Sequence, residues 1–218
     1  WRLKMSLLRK LGTLFFGLFL YAVGILLTIH ADLGVAPWDV FHLGIVHHTE
    51  LTLGQVSQLV GLVIIVICIF LKEIPGWGSV ANMYFIGYFI DLLEAQQVLG
   101  SPNTLGLRLL MLFSGVFLMG WATYFYLNAG LGSGPRDGLM LGLSRLFKVK
   151  VAVPRTVIEL AVLTGGFYLG GPVGVGTILI AFLVGPAIQV VYAIMGQDPR
   201  NGVHRTLVDD YLLVRRNR

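Results

Sequence analysis

The sequence predicts an all-α polytopic membrane protein. Six transmembrane helices are expected as two inverted three-helix repeats, each with a short helix after its first span. Three observations predict this: a shortage of charge, six apolar stretches of spanning length, and an internal repeat at an offset of 98 residues. The 218 residues are 56% hydrophobic and only 12% charged, about half the ~25% found in soluble domains. An ordinary soluble enzyme domain and a disordered regulator are therefore excluded. One cysteine, Cys68, excludes a disulfide framework and a zinc cluster.

A helix needs about 20 mainly apolar residues to cross the hydrocarbon core. The stretches 11–30, 52–71, 79–98, 107–128, 155–171 and 177–196 qualify. The first is too long for a signal-peptide core, and no small-residue cleavage site follows it. The organisation is then an N-terminal segment 1–10, a first repeat 11–98, a second repeat 107–196 and a basic tail 197–218.

Basic residues are retained in the cytoplasm. With the N-terminus inside, fifteen of the sixteen Lys and Arg residues are cytoplasmic, and only Arg108 is outside. Both termini are thus expected in the cytoplasm, and the net charge of +5 reflects orientation and anionic lipid. Nucleic acid is not an expected partner, because no loop carries a basic stripe with interleaved aromatics.

Residues 14–44 aligned without gaps on 112–142 share 12 identities in 31. Leu14-Phe15-x-Gly17-x-Phe19-Leu20 matches Leu112-Phe113-x-Gly115-x-Phe117-Leu118, and Ala31-x-Leu33-Gly34-x-x-Pro37-x-Asp39 matches Ala129-x-Leu131-Gly132-x-x-Pro135-x-Asp137. The offset returns later, pairing Gly76, Gly78, Gly87 and Ile90 with Gly174, Gly176, Gly185 and Ile188. An odd number of spans per copy inverts the second, the arrangement of many secondary transporters.

The repeated motif sits in the longer connections, 31–51 and 129–154. A glycine turn leads to a proline suited to the first helical position. An aspartate follows in the first turn, near unpaired N–H groups and the positive dipole end. About ten residues then remain, too few to cross. Each short helix, 35–46 and 133–144, either lies at the interface or dips in as a re-entrant half-helix. Irregular backbone at that depth requires a protein-lined or watery site.

The string Ala31-Asp32-Leu33-Gly34-Val35-Ala36-Pro37-Trp38-Asp39-Val40 with Leu53-Gly54-Gln55 resembles the bacterial YczE-like membrane proteins of the YczE/YyaS/YitT group. So do Gly130-Leu131-Gly132-Ser133-Gly134-Pro135-Arg136-Asp137, Arg155-Thr156-x-x-Glu159 and Gly170-Gly171-Pro172-x-Gly174-x-Gly176-Thr177. The likeness covers about residues 5–196. It implies a small, multi-pass protein of the bacterial cytoplasmic (inner) membrane, and it implies no substrate.

Ionisable groups within a span cost about 2.5–3.5 kcal/mol at the centre, so each needs a partner or a purpose. Arg155 and Glu159 share a helix face, as an ion pair or as a coupling site. A three-residue indel aligns Glu159 with Gln58, and the offset of 98 aligns Asp91 with Gln189. These five residues are the expected intramembrane polar positions. Asp39, Gly132, Gly134, Arg136 and Asp137 are the expected substrate-binding residues, the glycines offering backbone N–H groups to an anion.

An enzyme is not expected. Gly132-Ser133-Gly134 has the setting of a nucleophilic serine, yet His30, His42, His47 and His48 all fall on the outer side, away from it. His42, His47, His48 and Glu50 read as a solvated loop, so no metal is expected, nor any cofactor. The expected function is alternating-access transport of a small solute, preferentially anionic, by a homodimer in the lipid bilayer. The rival is a non-transporting accessory or scaffold protein.

Overall fold

The structure, a computed structural model, describes residues 7–197. Residues 1–6 of the N-terminal segment and nearly all of the expected basic tail lie outside the described residues. Eight helices make up the described chain: α1 (Leu7–His30), α2 (Pro37–His47), α3 (Leu53–Phe70), α4 (Trp77–Ala95), α5 (Leu105–Asn128), α6 (Pro135–Phe147), α7 (Ala152–Tyr168) and α8 (Val175–Ile194). Four of them, α1, α3, α5 and α8, are long and apolar enough to cross a bilayer. The other two expected spans fall short. α4 carries Asn82, Asp91 and Glu94, and α7 has 17 residues that include Arg155 and Glu159.

The two short helices begin where the motif requires. Pro37 and Pro135 occupy the first turns of α2 and α6, positions where proline forfeits no hydrogen bond. Neither helix has a side-chain N-cap, so the first-turn carboxylates Asp39 and Asp137 answer the positive helix ends. In α2, Pro37, Trp38, Asp39, Val40, His42 and Gly44 are buried. A hairpin lying on the protein surface would not bury this face. Before each helix comes a glycine at positive φ, Gly34 (+96°) and Gly132 (+135°), conformations that disfavour any side chain.

Contacts between helices recur at the sequence offset of 98. α1 crosses α5 through Gly17, which meets Ala122 and Tyr126, and through Gly115, which meets Gly24 and Thr28. Adding 98 to 24 and 28 gives 122 and 126. Gly34 lies against Gly174 and Thr177, while Gly132 lies against Gly76 and Ser79. Leu33 O accepts from Gly176 N at 2.6 Å, and Leu131 O accepts from Gly78 N at 2.7 Å. Small residues let backbones approach this closely, which favours helix association in lipid. α2 meets α7 where Gly166 lies on Val40 and Phe41; α6 meets α3 where Gly138 lies on Cys68 Sγ.

The interface between α3 and α4 lacks a counterpart of its extent. α3 packs along α4, but no comparable packing joins α7 to α8. The α3–α4 contact is closed by Gly54 against Gly87 and by Gly61 against Met83. α3 and α7 also end 98 residues apart, at Phe70 and Tyr168. That register puts Glu159 at the position of Gly61, not of Gln58 as the alignment with an indel gave.

Candidate functional site

Where α2 and α6 begin, the helices enclose a cavity of about 490 Å³. Its wall includes residues from all eight helices, with polar groups from each of them but α8. Asp39 and His42, one turn apart on α2, are both buried, with His42 Nδ1 3.5 Å from Asp39 Oδ1. His42 Nε2 is buried and has no hydrogen-bond partner. A buried polar atom left unpaired costs about 1–3 kcal/mol.

Arg136, the second residue of α6, places its guanidinium 4.5 Å from the centre of the Trp38 ring. The indole face attracts the cation and leaves the N–H donors at the ring's periphery unspent. Asp137 takes a hydrogen bond of 3.4 Å from the Tyr126 hydroxyl. On α7, Arg155 Nε donates to Glu159 Oε1 at 3.1 Å, and both side chains are partly exposed.

Of the expected substrate-binding residues, Asp39, Gly134, Arg136 and Asp137 come together on this wall. Gly132 does not, because its backbone is packed against the start of α4. Arg155 and Glu159 belong to the wall, and Gln58, Asp91 and Gln189 do not. Gln58 Nε2 instead donates to Tyr84 O at 2.9 Å. Asp91 accepts from Thr52 Oγ1 at 2.6 Å and from Gly54 N at 2.8 Å, tying α4 to the first turn of α3. Gln189 is exposed.

His42 is the largest departure from expectation. Span order put it in an outer loop with His47 and His48, but α2 carries it into the cavity that Ser133 also lines. The unpartnered Nε2 means that no hydrogen bond joins it to Ser133. Among the described residues no group of three metal-ligating side chains forms. Trp38 and Tyr126 were likewise missed as wall residues. The offset held a signal for Trp38, since it pairs Trp38 with Arg136.

The family model described as a family of unknown function, DUF6198, matches residues 8–193. The chain belongs to this family. Among its relatives, an uncharacterised membrane protein YczE of Bacillus subtilis is 37% identical over 185 residues, covering 84% of this chain and 85% of its own. An uncharacterised protein of Haemophilus influenzae is 33% identical, covering 88% of this chain and 87% of its own. The Bacillus subtilis protein YyaS is 30% identical, covering 82% of this chain and 90% of its own. No solved structure gives a significant match. Family membership and four apolar helices together make this a membrane protein in contact with lipid.

Proposed function

We propose that this DUF6198 protein is a small-solute transporter working by alternating access between two inverted repeats. The repeats are α1–α4 and α5–α8, with α1, α3, α4, α5, α7 and α8 as the six spans. α2 and α6 are re-entrant half-helices that approach each other from opposite faces. The membrane is the bacterial cytoplasmic one, both termini are cytoplasmic, and the chain has no catalytic role.

The observation that carries this reading is the cavity at the meeting of the two half-helices, where Asp39 and Asp137 share a wall with Trp38 and Arg136. Transporters of inverted-repeat design bind substrate at that junction, with half-helix N-termini turned towards it. The contacts repeated at an offset of 98 support the symmetry, since a pseudo-twofold axis exchanges such pairs. α4 and α7 carry polar residues towards neighbouring helices, which lowers their hydropathy without shortening them beyond a locally thinned crossing.

Positive helix ends and Arg136 support binding of an anionic group, on a wall that also carries Asp39, Asp137, Glu159 and Arg155. A single copy is a small frame for gated transport, so a homodimer is the expected unit. Uptake of a broad metabolite panel into proteoliposomes tests the reading. At least one solute is expected to enter, with Asp137→Asn and Glu159→Gln each reducing its flux. No flux for any solute would favour the accessory role, and undiminished flux in both variants would remove the site assignment.

A further inference from the structure

The two halves differ most between their last two helices. In the first, Gly61 rests on Met83 and Gly54 meets Gly87 backbone to backbone. In the second, the positions of Gly61 and Gly87 are held by Glu159 and Gly185, and a Cβ added to Gly185 would find nothing within 4 Å. The substitution explains the parting. Glycine allows helix backbones to close, whereas Glu159, paired to Arg155, sets an ionic group where contact with an apolar helix would have to form.

The gap is continuous with the cavity. Arg155 and Glu159 on α7 and Ala181, Val184 and Ile188 on α8 all belong to the cavity wall. Glu159 is seven residues into α7, ~10 Å along the helix at 1.5 Å per residue. With α7 as the span proposed above, that depth lies among the acyl chains, and lipid borders the slot. Inside it, on a wall that also carries Asp39, Asp137 and Glu159, Arg136 stacks on Trp38 with no hydrogen bond or ion pair among the described residues, and its planar fork of donors matches a carboxylate, phosphate or sulfonate.

We propose that the slot between α7 and α8 is a lateral portal, and that the cavity takes an amphiphile whose anionic head meets Arg136 while its chain runs out past Ala181, Val184 and Ile188. The portal rests on the six-span reading above, which makes α7 a membrane helix; its role as a route for a transported solute rests further on transport itself.

Trp38 beneath Arg136 supplies the probe. The full chain, with Trp1, Trp77 and Trp121 replaced by Phe, is reconstituted into phosphatidylcholine vesicles and titrated with dibrominated amphiphiles, which quench indole at close range. Dibrominated stearate and dibrominated phosphatidylglycerol are the anionic arms, and dibrominated phosphatidylcholine is the neutral one. Saturable quenching by an anionic arm is expected, with Arg136→Gln weakening it about tenfold or more, as loss of a hydrogen-bonded charge would. Quenching by stearate alone assigns a free single-chain acid; quenching by phosphatidylglycerol assigns a membrane lipid. Either supports the portal.

Equal quenching by the neutral arm, or none by any arm, overturns it. So does a cysteine cross-link between the α7 helices of two copies that leaves the slot filled by protein. If the three-Phe chain fails to fold, the difference between the parent and Trp38→Phe gives the same readout. Because no flux is measured, a failure here leaves the transporter reading standing, and absence of flux leaves the binding result standing.

Discussion

Arg136 lies 4.5 Å over the indole of Trp38, and the two residues hold the same position in the two halves, since 136 − 38 = 98. The contact joins α2 to α6 across the repeated position, and it sets a cation against an aromatic ring, an attractive contact.

Arg136→Gln and Trp38→Leu are each expected to lower stability by about 0.5–2 kcal/mol, with the double variant losing less than the sum. Thermal unfolding of the four proteins in detergent measures the coupling. Strict additivity would mean that the contact contributes nothing.

Gly17 and Gly115 carry the α1–α5 crossing, each against backbone of the opposite helix. Gly17→Val and Gly115→Val are expected to cost about 1–3 kcal/mol each through overpacking. Gly12→Ala, where a Cβ meets nothing within 4 Å, should be neutral or slightly stabilising. Melting temperatures that rank Gly12→Ala with the valine variants would contradict the crossing.

Asp91 is expected to act on stability and not on solute. Its carboxylate holds Thr52 Oγ1 and Gly54 N, so Asp91→Ala should cost about 1–2 kcal/mol, the range of a lost N-terminal cap. Flux per folded molecule should be unchanged. A selective loss of flux at normal stability would return Asp91 to the coupling machinery.

Asp39 and His42 form a buried pair. Asp39→Asn should weaken solute binding while His42→Gln, which keeps a polar group at this buried position, should retain more of it. Competition of solute with the dibrominated probe at Trp38 compares them. The opposite ranking would mean that His42 Nε2, not the carboxylate, sets recognition.

Much of the fold was legible because its signals are local. Pro37 and Pro135 announce helix starts through their own backbone chemistry, and Gly34 and Gly132 announce the turns before them. The α1–α5 crossing was half legible: the duplication of Gly17 at Gly115 was plain, but not which residues each would touch. The site was less so. His42 reads as an outer-loop residue when spans are merely counted, because only tertiary structure turns α2 inward. Asp91 reads as a lone intramembrane carboxylate until the first turn of α3 is brought beside it. Where α7 and α8 do not pack, Glu159 stands at the position that Gly61 holds in the other half. That equivalence is fixed by helix ends and contacts, and a gapped alignment shifted it to Gln58.

Alternating access is tested most directly from the two sides of the membrane. Ser57 lies on the cavity wall, and Cys68 is the one native cysteine. A Ser57→Cys, Cys68→Ala chain in oriented vesicles is treated with a membrane-impermeant thiol reagent from outside or from inside. Labelling from both sides is expected, with bound solute shifting the ratio between them. Labelling from one side only, unaltered by any solute, would contradict a cavity that opens in turn to each face.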